Sequence, residues 1–260
     1  MSVQKPNLET KFRQVVQSFR TGIKSSPFLD SEFTEADAYQ VQYRLIEELT
    51  ASGEIIRGHK VALTTKAARD HLGVNEPCFG HILDAGIYAN RSAVPITKLT
   101  DPHCEAEIAF ILKNDVKGPG VTPIQVMSSI EALLPAIELV DLKVKGEGIS
   151  STDVIAHQGL HGGVIVGSNM IDIDSCDLQY EGATVEHNGN LAGSGTGSEV
   201  MGNPINPIVW LANKMYEFND YLRAGEIIIS GSVVTPIRIS RGDQLDVTFT
   251  RLGRVSASFV

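Results

Sequence analysis

Two short apolar segments of this chain carry glutamates in positions that suggest a metal centre. Glu105 and Glu107 stand two residues apart in the run 103–110, and Glu138 interrupts the run 135–140. Because side chains two apart in a strand point to the same face, Glu105 and Glu107 should project side by side. Like charges this close are costly unless a positive group lies between them, and a divalent cation takes carboxylate oxygens as ligands. The pattern indicates a site that presents a metal to a small, oxygen-rich molecule.

The alternative for each glutamate is a solvated strand face, and spacing alone does not decide between the two. Glu-x-Glu pairs are common, but the residues that follow, 108–112, are apolar on both faces, as in a buried strand. Glu138 lies in a segment otherwise fit for a core, where a lone glutamate is seldom buried without a partner or a metal. Asp141, three residues on, should face the opposite way in a regular strand. Glu138 is therefore the third predicted ligand, and Asp141 is set aside.

Lys60 and two histidines are further candidates for moving protons. Lys60 lies in an apolar strand just before a turn, where a cation near three carboxylates could balance charge or transfer protons. The alternative is a strand lysine whose amine reaches solvent. His157 and His161 stand four apart, as on one face of a helix, but the glycines around them oppose a helix. A two-histidine metal site is therefore disfavoured, although either histidine could act as an acid or base in a loop.

Two segments of small residues could meet a substrate through their backbone. The run 193–198, Gly-Ser-Gly-Thr-Gly-Ser, matches neither a P-loop nor a dinucleotide fingerprint, so we expect a loop or a lid there. Ser232 closes the Ser-Gly-Ser segment at 230–232, directly after the apolar strand 227–229. At the end of a strand a hydroxyl or a backbone N–H can contact a substrate. A plain turn explains this second segment equally well.

Composition and charge argue against several classes of protein. The 260 residues carry a net charge of −9, whereas a nucleic-acid partner would favour a basic patch. The first residues contain no apolar stretch typical of a secretory signal, and no apolar run approaches the ~18 residues that span a bilayer. Three cysteines, an odd number without metal-type spacing, are typical of reduced thiols. We expect a cytoplasmic protein that binds neither nucleic acid nor membrane.

The pattern of the chain changes near residue 53, which divides it into a helical N-terminal segment, 1–53, and a mixed-β body, 54–260. Helical periodicity is clearest at 34–51, where Thr34 and Asp37 resemble a capping box. The body contains candidate strands at 55–63, 104–112, 132–140, 163–167, 184–187, 225–230, 244–250 and 254–260, a hairpin turn at Asn188-Gly189, and candidate helices at 122–131 and 207–214. Strands at irregular spacing with few helices predict an α+β fold, with the metal site in the body.

Motifs spread over most of the chain occur in an order typical of one family. They are Ala-Asp-Ala-Tyr-Gln-Val-Gln at 36–42, Gly-His-Lys-Val-Ala-Leu-Thr at 58–64, Glu-Ala-Glu-Ile-Ala-Phe at 105–110, Pro-Ala-Ile-Glu-Leu-Val-Asp at 135–141, Gly-Asn-Pro at 202–204, Val-Trp-Leu-Ala-Asn at 209–213, Leu-Arg-Ala-Gly at 222–225 and the ending 252–260. Together they resemble the 2-oxopent-4-enoate hydratase and 4-oxalocrotonate decarboxylase family, within the fumarylacetoacetate hydrolase superfamily. No single motif is specific for this family, but the ordered set is.

The resemblance implies a fumarylacetoacetate-hydrolase-like mixed-β body with an N-terminal helical segment, and a site that binds Mg²⁺ or Mn²⁺. Family members hydrate a 2-hydroxydienoate or decarboxylate a vinylogous 2-oxo acid during the breakdown of aromatic compounds. The expected partner is therefore a small 2-oxo acid, and a homo-oligomer is expected because members commonly form one. The predicted site residues are, for metal binding, Glu105, Glu107 and Glu138, for catalysis, Lys60, His157 and His161, and for substrate binding, Leu63, Cys78 and Ser232.

Two departures from the family pattern leave the reaction open. Hydratases usually carry an aspartate where this chain has Cys78, whereas decarboxylases tend to be apolar there, and the missing carboxylate removes a plausible base for activating water. At 157–161 relatives usually have small or hydroxyl residues, where this chain has two histidines. A hydratase of 2-hydroxypenta-2,4-dienoate type is the first hypothesis, and a 4-oxalocrotonate-type decarboxylase is the second. A diverged enzyme with another, biosynthetic substrate is the third, and a non-catalytic homologue is disfavoured by the intact glutamates and Lys60.

Overall fold

The structure, a computed structural model, describes residues 6–260. The helices are α1 (Pro6–Thr21), α2 (Glu35–Ala51), α3 (Lys66–Leu72), α4 (Pro123–Ser128), α5 (Ser151–Ala156) and α6 (Ile205–Tyr216). The strands are β1 (Ile56–Ala62), β2 (Cys78–Leu83), β3 (Ile87–Ala89), β4 (Ser92–Val94), β5 (Pro102–Leu112), β6 (Ile130–Asp141), β7 (His161–Val166), β8 (Gly182–His187), β9 (Asn190–Thr196), β10 (Ile227–Ser232), β11 (Ile237–Arg238), β12 (Gln244–Phe249) and β13 (Gly253–Phe259). Helices and strands follow no regular alternation, which confirms the predicted α+β class. Over these residues no helix is both long enough and apolar enough to cross a bilayer.

Two sheets of mixed direction form the body. In the larger sheet the strand order is β2-β1-β10-β5-β6-β7-β3, and β11 also pairs with β5. The smaller sheet has the order β4-β13-β12-β8-β9. Most neighbours are antiparallel, but β1 runs parallel to β10, β3 to β7 and β4 to β13. Because β10 lies between β1 and β5, and β6 follows β5, the strands that carry Lys60 and the three glutamates lie close together.

The larger sheet buries apolar side chains on both faces, in two separate clusters, as a sheet covered on both faces does. On one face Ile82, Ala109, Leu134, Val164 and Ile229, from five different strands, form a single buried cluster. A cluster that joins β2 to β7 requires the sheet to curl, and these two strands do contact each other. The glutamates of β5 and β6 alternate onto this same face. The predicted metal ligands therefore lie inside the curl, on the same face as this buried apolar cluster.

The N-terminal helices pack on the body and share its hydrophobic core. Thr34 and Asp37 form the predicted capping box at the start of α2. This helix packs against α5 and buries Ala38 and Val41. The boundary predicted after residue 53 falls in the turn that follows α2, but a division into two domains stays a prediction.

Sequence patterns miss several short elements. The strands β2, β3 and β4 and the helix α5 are each at most six residues long, too short to establish a period. The helix predicted over 122–131 ends at Ser128, because β6 begins two residues later at Ile130.

The glycine-rich run 193–198 is a second difference from the sequence prediction. The hairpin turn at Asn188-Gly189 is confirmed, with positive φ at both residues. However, the strand that follows, β9, continues to Thr196, so the expectation of a loop over the first part of the run is wrong. Glycine is needed at 195 because a Cβ there would lie 1.8 Å from the carbonyl oxygen of Val233. This close approach lets β9 pass beside the segment that follows β10.

Candidate metal centre and its cavity

Antiparallel pairing of β5 with β6 brings the three predicted metal ligands together. Glu105 lies directly opposite Glu138 in the ladder, and Glu107 lies opposite Ala136. One carboxylate oxygen from each glutamate lies within 4.8 Å of the other two. Glu107 and Glu138 are fully buried, whereas Glu105 is half-buried. In residues 6–260 no other group of three acidic, histidine or cysteine side chains converges in this way.

Each of the two buried glutamates has one oxygen held by the protein and one without a partner. Gly231 donates its backbone N–H to Glu107 Oε2 at 2.7 Å. His161 Nδ1 lies 2.7 Å and Lys60 Nζ 3.0 Å from Glu138 Oε1. Glu107 Oε1 and Glu138 Oε2 are buried with no hydrogen-bond partner. Because unpaired buried carboxylate oxygens are costly, a divalent cation bound by these two oxygens and the third carboxylate fits the site.

The pKa shifts show how strongly the cluster depends on positive charge. Burial and the neighbouring Glu138 raise the pKa of Glu105 to about 8, and burial with the same neighbour raises the pKa of Glu107 well above its usual value. Burial also opposes ionisation of Glu138, but Lys60 and His161 outweigh it and lower the pKa of this carboxyl. Burial would lower the pKa of Lys60, but the carboxylates beside it raise that pKa instead. Of the three glutamates, Glu138 is the one held ionised by the protein itself.

A turn at residues 158–160 receives the amine of Lys60. Lys60 Nζ donates to the carbonyl oxygen of Gly159 at 2.8 Å. Gln158, Gly159 and Leu160 have φ values of 60° to 61°, in the left-handed region. This conformation costs a non-glycine residue about 1 kcal/mol or more, so surrounding contacts must hold the turn.

Buried amides from two other elements hold this turn. The side chain of Gln158 accepts the backbone N–H of His81 at 3.0 Å and donates to the carbonyl oxygen of Gln42 at 3.1 Å. Gln42 itself has no exposed surface and lies on α2. Gly80 allows the turn to approach β2, because a Cβ there would lie 2.1 Å from the carbonyl oxygen of Gln158. The N-terminal helix α2 thereby supports the turn to which Lys60 donates.

A cavity of about 1160 Å³ opens beside Lys60 and Glu105. Its remaining wall is largely apolar and comes from several loops and helices. The larger apolar side chains that line it include Leu63, Leu72, Leu142, Ile149, Leu160 and Val234. Ligand pockets of ~300–1,000 Å³ hold molecules of many carbons, so this cavity has room for more than a short acid.

The three residues predicted to bind substrate lie in different places. Leu63 and Ser232 line the cavity, although the Ser232 hydroxyl already donates to the carbonyl oxygen of Val234 at 2.6 Å. Cys78 begins β2, is 1% exposed and is absent from the cavity wall. Burial raises the pKa of its thiol to about 12, so the thiol stays protonated. In this position Cys78 does not replace a carboxylate base.

The two predicted histidines also separate. His161 contacts Glu138 in the carboxylate cluster, and its Nε2 is buried without a partner. The structure does not bring His157 to that cluster. His157 Nε2 lies 2.9 Å from Ser25 Oγ, and its Nδ1 lies 2.8 Å from the carbonyl oxygen of Asp153. Because both ring nitrogens of His157 are used there, this geometry corresponds to a structural role and departs from the catalytic one expected.

Asp141 lies outside the cluster, as strand alternation predicts. It is fully buried, accepts the backbone N–H groups of Thr100 and Asp101, and forms an ion pair with Lys143. These contacts satisfy its charge without a metal. A buried carboxylate in this segment is therefore not by itself a sign of a ligand.

Sequence reasoning misses the groups that contact the cluster and the Lys60 turn through the backbone. Gly231 lies in the Ser-Gly-Ser segment 230–232 and donates its backbone N–H to Glu107. A Cβ at 231 would lie 2.2 Å from Thr64 Oγ1, so the position requires glycine. A glycine directly after an apolar strand is the signal that could have identified it. Gln42 and Gln158 give no such signal, because a lone glutamine is mostly a surface residue.

Comparison with known proteins identifies the family. The family model described as fumarylacetoacetate (FAA) hydrolase C-terminal matches residues 58–260, which include Lys60 and all three glutamates of the cluster. The chain belongs to the fumarylacetoacetate hydrolase family, and the predicted family and fold are confirmed.

Relatives with assigned activities cover nearly the whole chain. The 2-hydroxyhexa-2,4-dienoate hydratase of Comamonas testosteroni is 34% identical over 256 residues, 97% of each chain. A 4-oxalocrotonate decarboxylase of Pseudomonas putida is 31% identical over 229 residues, 88% of this chain and 87% of its own. The solved structure of the 4-oxalocrotonate decarboxylase from Pseudomonas putida G7, complexed with magnesium and adipate, has a TM-score of 0.94 and 27% identity, and the match covers 100% of this chain and 99% of that one.

Proposed function

We propose that this protein is a divalent-metal-dependent lyase that acts on a 2-oxo or 2-hydroxydienoate acid, as a hydratase of the 2-hydroxypenta-2,4-dienoate type. The observation that carries the proposal is the cluster of Glu105, Glu107 and Glu138, two of which have an unpaired buried oxygen, next to Lys60 and an apolar cavity. The 34% identity to a 2-hydroxyhexa-2,4-dienoate hydratase over almost the full chain supports the reaction type.

The three glutamates would hold Mg²⁺ or Mn²⁺, hard cations that prefer oxygen ligands. Such a cation supplies Lewis acidity for the negative charge that develops when a 2-oxo acid enolises. The magnesium in the decarboxylase relative's structure supports this choice of cation.

We assign the proton transfer of the proposed reaction to Lys60. Its amine uses one donor on Gly159 and one on Glu138, which leaves one donor for a molecule in the cavity. Since its pKa is raised, the amine is protonated and can donate a proton to a dienolate carbon or stabilise its charge. The apolar wall excludes water from the rest of the substrate's carbon chain, so the reacting end of the acid is the end that contacts charged groups.

A 4-oxalocrotonate-type decarboxylase is the second candidate. The position of Cys78 favours it, because a buried, protonated thiol outside the cavity wall offers no base for activating water. The full-length structural similarity to a decarboxylase, with a TM-score of 0.94, also supports it. The third hypothesis is a diverged enzyme with another, biosynthetic substrate, in which the two histidines would replace the missing aspartate. It has less support because both ring nitrogens of His157 are used outside the cluster.

The two reactions are distinguished by supplying each substrate to the purified protein with Mg²⁺. For the hydratase we expect the ultraviolet absorbance of 2-hydroxypenta-2,4-dienoate to disappear without carbon dioxide release. For the decarboxylase we expect carbon dioxide from 4-oxalocrotonate while the dienoate persists. Lys60→Met should reduce either rate, and Glu131→Gln, an exposed change on β6 outside the cavity, should not. Magnesium binding with no turnover of either substrate would rule out both candidates.

We also propose that the protein works in the cytoplasm as a homo-oligomer. The free thiols of all three cysteines suit a reducing compartment. Large exposed apolar side chains, among them Leu29, Ile124 and Leu191, suit contacts between subunits. Light scattering coupled to size-exclusion chromatography tests the assembly, and a mass of 28.1 kDa would contradict it.

A further inference from the structure

The charges that line the cavity are unevenly distributed. Of the lysines and arginines in residues 6–260, Lys60 alone lines the cavity, and its amine is already shared between Glu138 and Gly159. The other charged side chains in the wall are acidic: Glu105 at the metal centre, and Glu147 and Glu199, both exposed. An anionic group far from the metal centre would therefore meet carboxylates and apolar side chains instead of a cation.

Arg69, close in sequence to several residues of the wall, does not supply a second cation. Arg69, on α3, donates to the carbonyl oxygens of Leu63 and Thr64, both at 2.8 Å. Leu63 has a φ of 60°, so Arg69 holds the strained end of the segment that leaves β1. Both bonds tie Nη1 to the backbone, and Arg69 is not among the residues that line the cavity, so it supplies no cation to the wall. His71, on the same helix, lines the cavity but is exposed.

The size and apolarity of the wall suit an uncharged carbon tail. Besides Lys60 and Glu105, the wall includes Leu72, Leu142 and Val234, from three separate segments of the chain. Each methylene that such a wall buries improves binding about fourfold. A carboxylate placed in the same space would exchange water for neutral hydroxyls, such as those of Ser194 and Thr235, and would find no cation to offset the loss, which is costly.

We infer that the substrate of this protein is a monocarboxylic acid with an apolar tail, and that acids with a second carboxylate at the far end are discriminated against. This inference rests on the proposed function, because it assumes that the 2-oxo acid end binds at the glutamate cluster. It names which members of the substrate class the cavity accepts. Hydration of a monocarboxylic dienoate is then preferred to decarboxylation of a diacid.

The test compares two acids that differ only at the far end. 2-Oxohexanoate and 2-oxohexanedioate have the same six carbons, and one ends in a methyl group where the other ends in a carboxylate. Calorimetric titration of each into the Mg²⁺-loaded protein should give at least tenfold tighter binding of 2-oxohexanoate. Lengthening the series from 2-oxopentanoate to 2-oxoheptanoate should improve affinity by about fourfold per methylene.

Two variants of Leu72, on α3, test whether a cation in the wall changes the preference between the two acids. Leu72 lies at the C-terminal end of this helix and is half-buried, and a lysine is well tolerated at a helix C-terminus. Leu72→Lys should narrow the preference for 2-oxohexanoate about tenfold relative to Leu72→Gln, which changes polarity without adding charge. Glu131→Gln should leave the preference unchanged.

The possible failures separate the two proposals. Equal or tighter binding of 2-oxohexanedioate to the wild-type protein would overturn the inference and leave the proposed function standing. If neither acid binds while Mg²⁺ still does, the proposed function fails and the inference fails with it. If the Leu72→Lys and Leu72→Gln proteins have the same preference for 2-oxohexanoate over 2-oxohexanedioate, the charge of the wall does not select the tail, and the inference is overturned.

Discussion

Replacing Glu107 by glutamine should have opposite effects on stability with and without metal. At 4.8 Å, the distance within which the carboxylate oxygens converge, two full charges repel by about 3 kcal/mol at an effective dielectric constant of 20. Glu107 faces two such neighbours, but Lys60 and proton uptake relieve much of the repulsion. The amide of Glu107→Gln can keep the hydrogen bond from Gly231 and offer an N–H to a neighbouring carboxylate. We therefore expect the metal-free variant to be more stable than wild type by roughly 1–3 kcal/mol.

Magnesium should reverse this order. A ligand at one thousand times its dissociation constant stabilises the folded state by about 4.1 kcal/mol, more than the roughly 1–3 kcal/mol by which the metal-free variant is favoured. This gain corresponds to a rise in Tm of about 8–16 °C for a chain of this size. The glutamine variant should lose this rise, because a neutral amide replaces one of the three carboxylates that would bind the cation. Differential scanning calorimetry in EDTA and in Mg²⁺ measures both effects on the same proteins.

Glu131→Gln is the matched control, since Glu131 is exposed on the same strand as Glu138. This control should shift the Tm by no more than a degree or two, both in EDTA and in Mg²⁺. The reasoning would be refuted by a Glu107→Gln protein that is less stable than wild type in EDTA. It would be refuted equally by a variant that retains the full magnesium shift.

Three further changes examine the groups around the cluster. Lys60→Met should lower kcat by a factor on the order of 10²–10⁴, the usual contribution of a general acid, while calorimetry still detects magnesium binding; an unchanged kcat would exclude Lys60 from proton transfer. Gln158→Ala should lower stability by about 1–3 kcal/mol, measured by urea unfolding, because it leaves the buried His81 N–H unpaired, and it should lower kcat more than it changes KM because Lys60 loses its fixed acceptor. Burial lowers the pKa of His157 to about 4 and that of His81 to about 3, so each is neutral in the folded protein. Because each histidine takes up a proton on unfolding below its unfolded pKa of about 6.5, the free energy of unfolding should fall as pH falls from 6.5, by about 2 kcal/mol per histidine at pH 5. A His157→Gln protein that loses as much stability as wild type between pH 7 and pH 5 would contradict this.

The carboxylate cluster was the part of the site most open to prediction from sequence. Strand alternation puts Glu105 and Glu107 on one face and excludes Asp141, and both rules depend only on local geometry. Apolar length predicts the two strands themselves, whereas the antiparallel register that places Glu105 opposite Glu138 is seen only in the structure. Here local pattern and tertiary structure agree.

The surroundings of the cluster could not be predicted in the same way, because they depend on the approach of distant backbone. The left-handed turn that receives Lys60 is held by Gln42, 116 residues away from its partner Gln158. His157 and His161 look equivalent in the sequence, yet a reversal of the chain between them sends one to Ser25 and the other to Glu138. Cys78 is the clearest case, since its neighbours in sequence give no sign that its side chain is absent from the cavity wall.

On the proposed function, the group that would bind the reacting end of an acid differs from the groups that would choose its tail. The cluster is asymmetric: Lys60 and His161 keep Glu138 ionised, whereas Glu105 and Glu107 hold raised pKa values until a cation takes their charge. If the cluster binds the cation as proposed, binding would displace protons from carboxyls whose pKa is raised, and occupancy would depend on pH. Of the charged side chains in and around the cluster, only Lys60 and Glu105 line the cavity. The larger apolar side chains of the wall come from loops and short helices, which can change without disturbing the pairing of β5 with β6. On the proposed function, one carboxylate cluster could thus remain constant while changes in the wall alter which acid binds beside it.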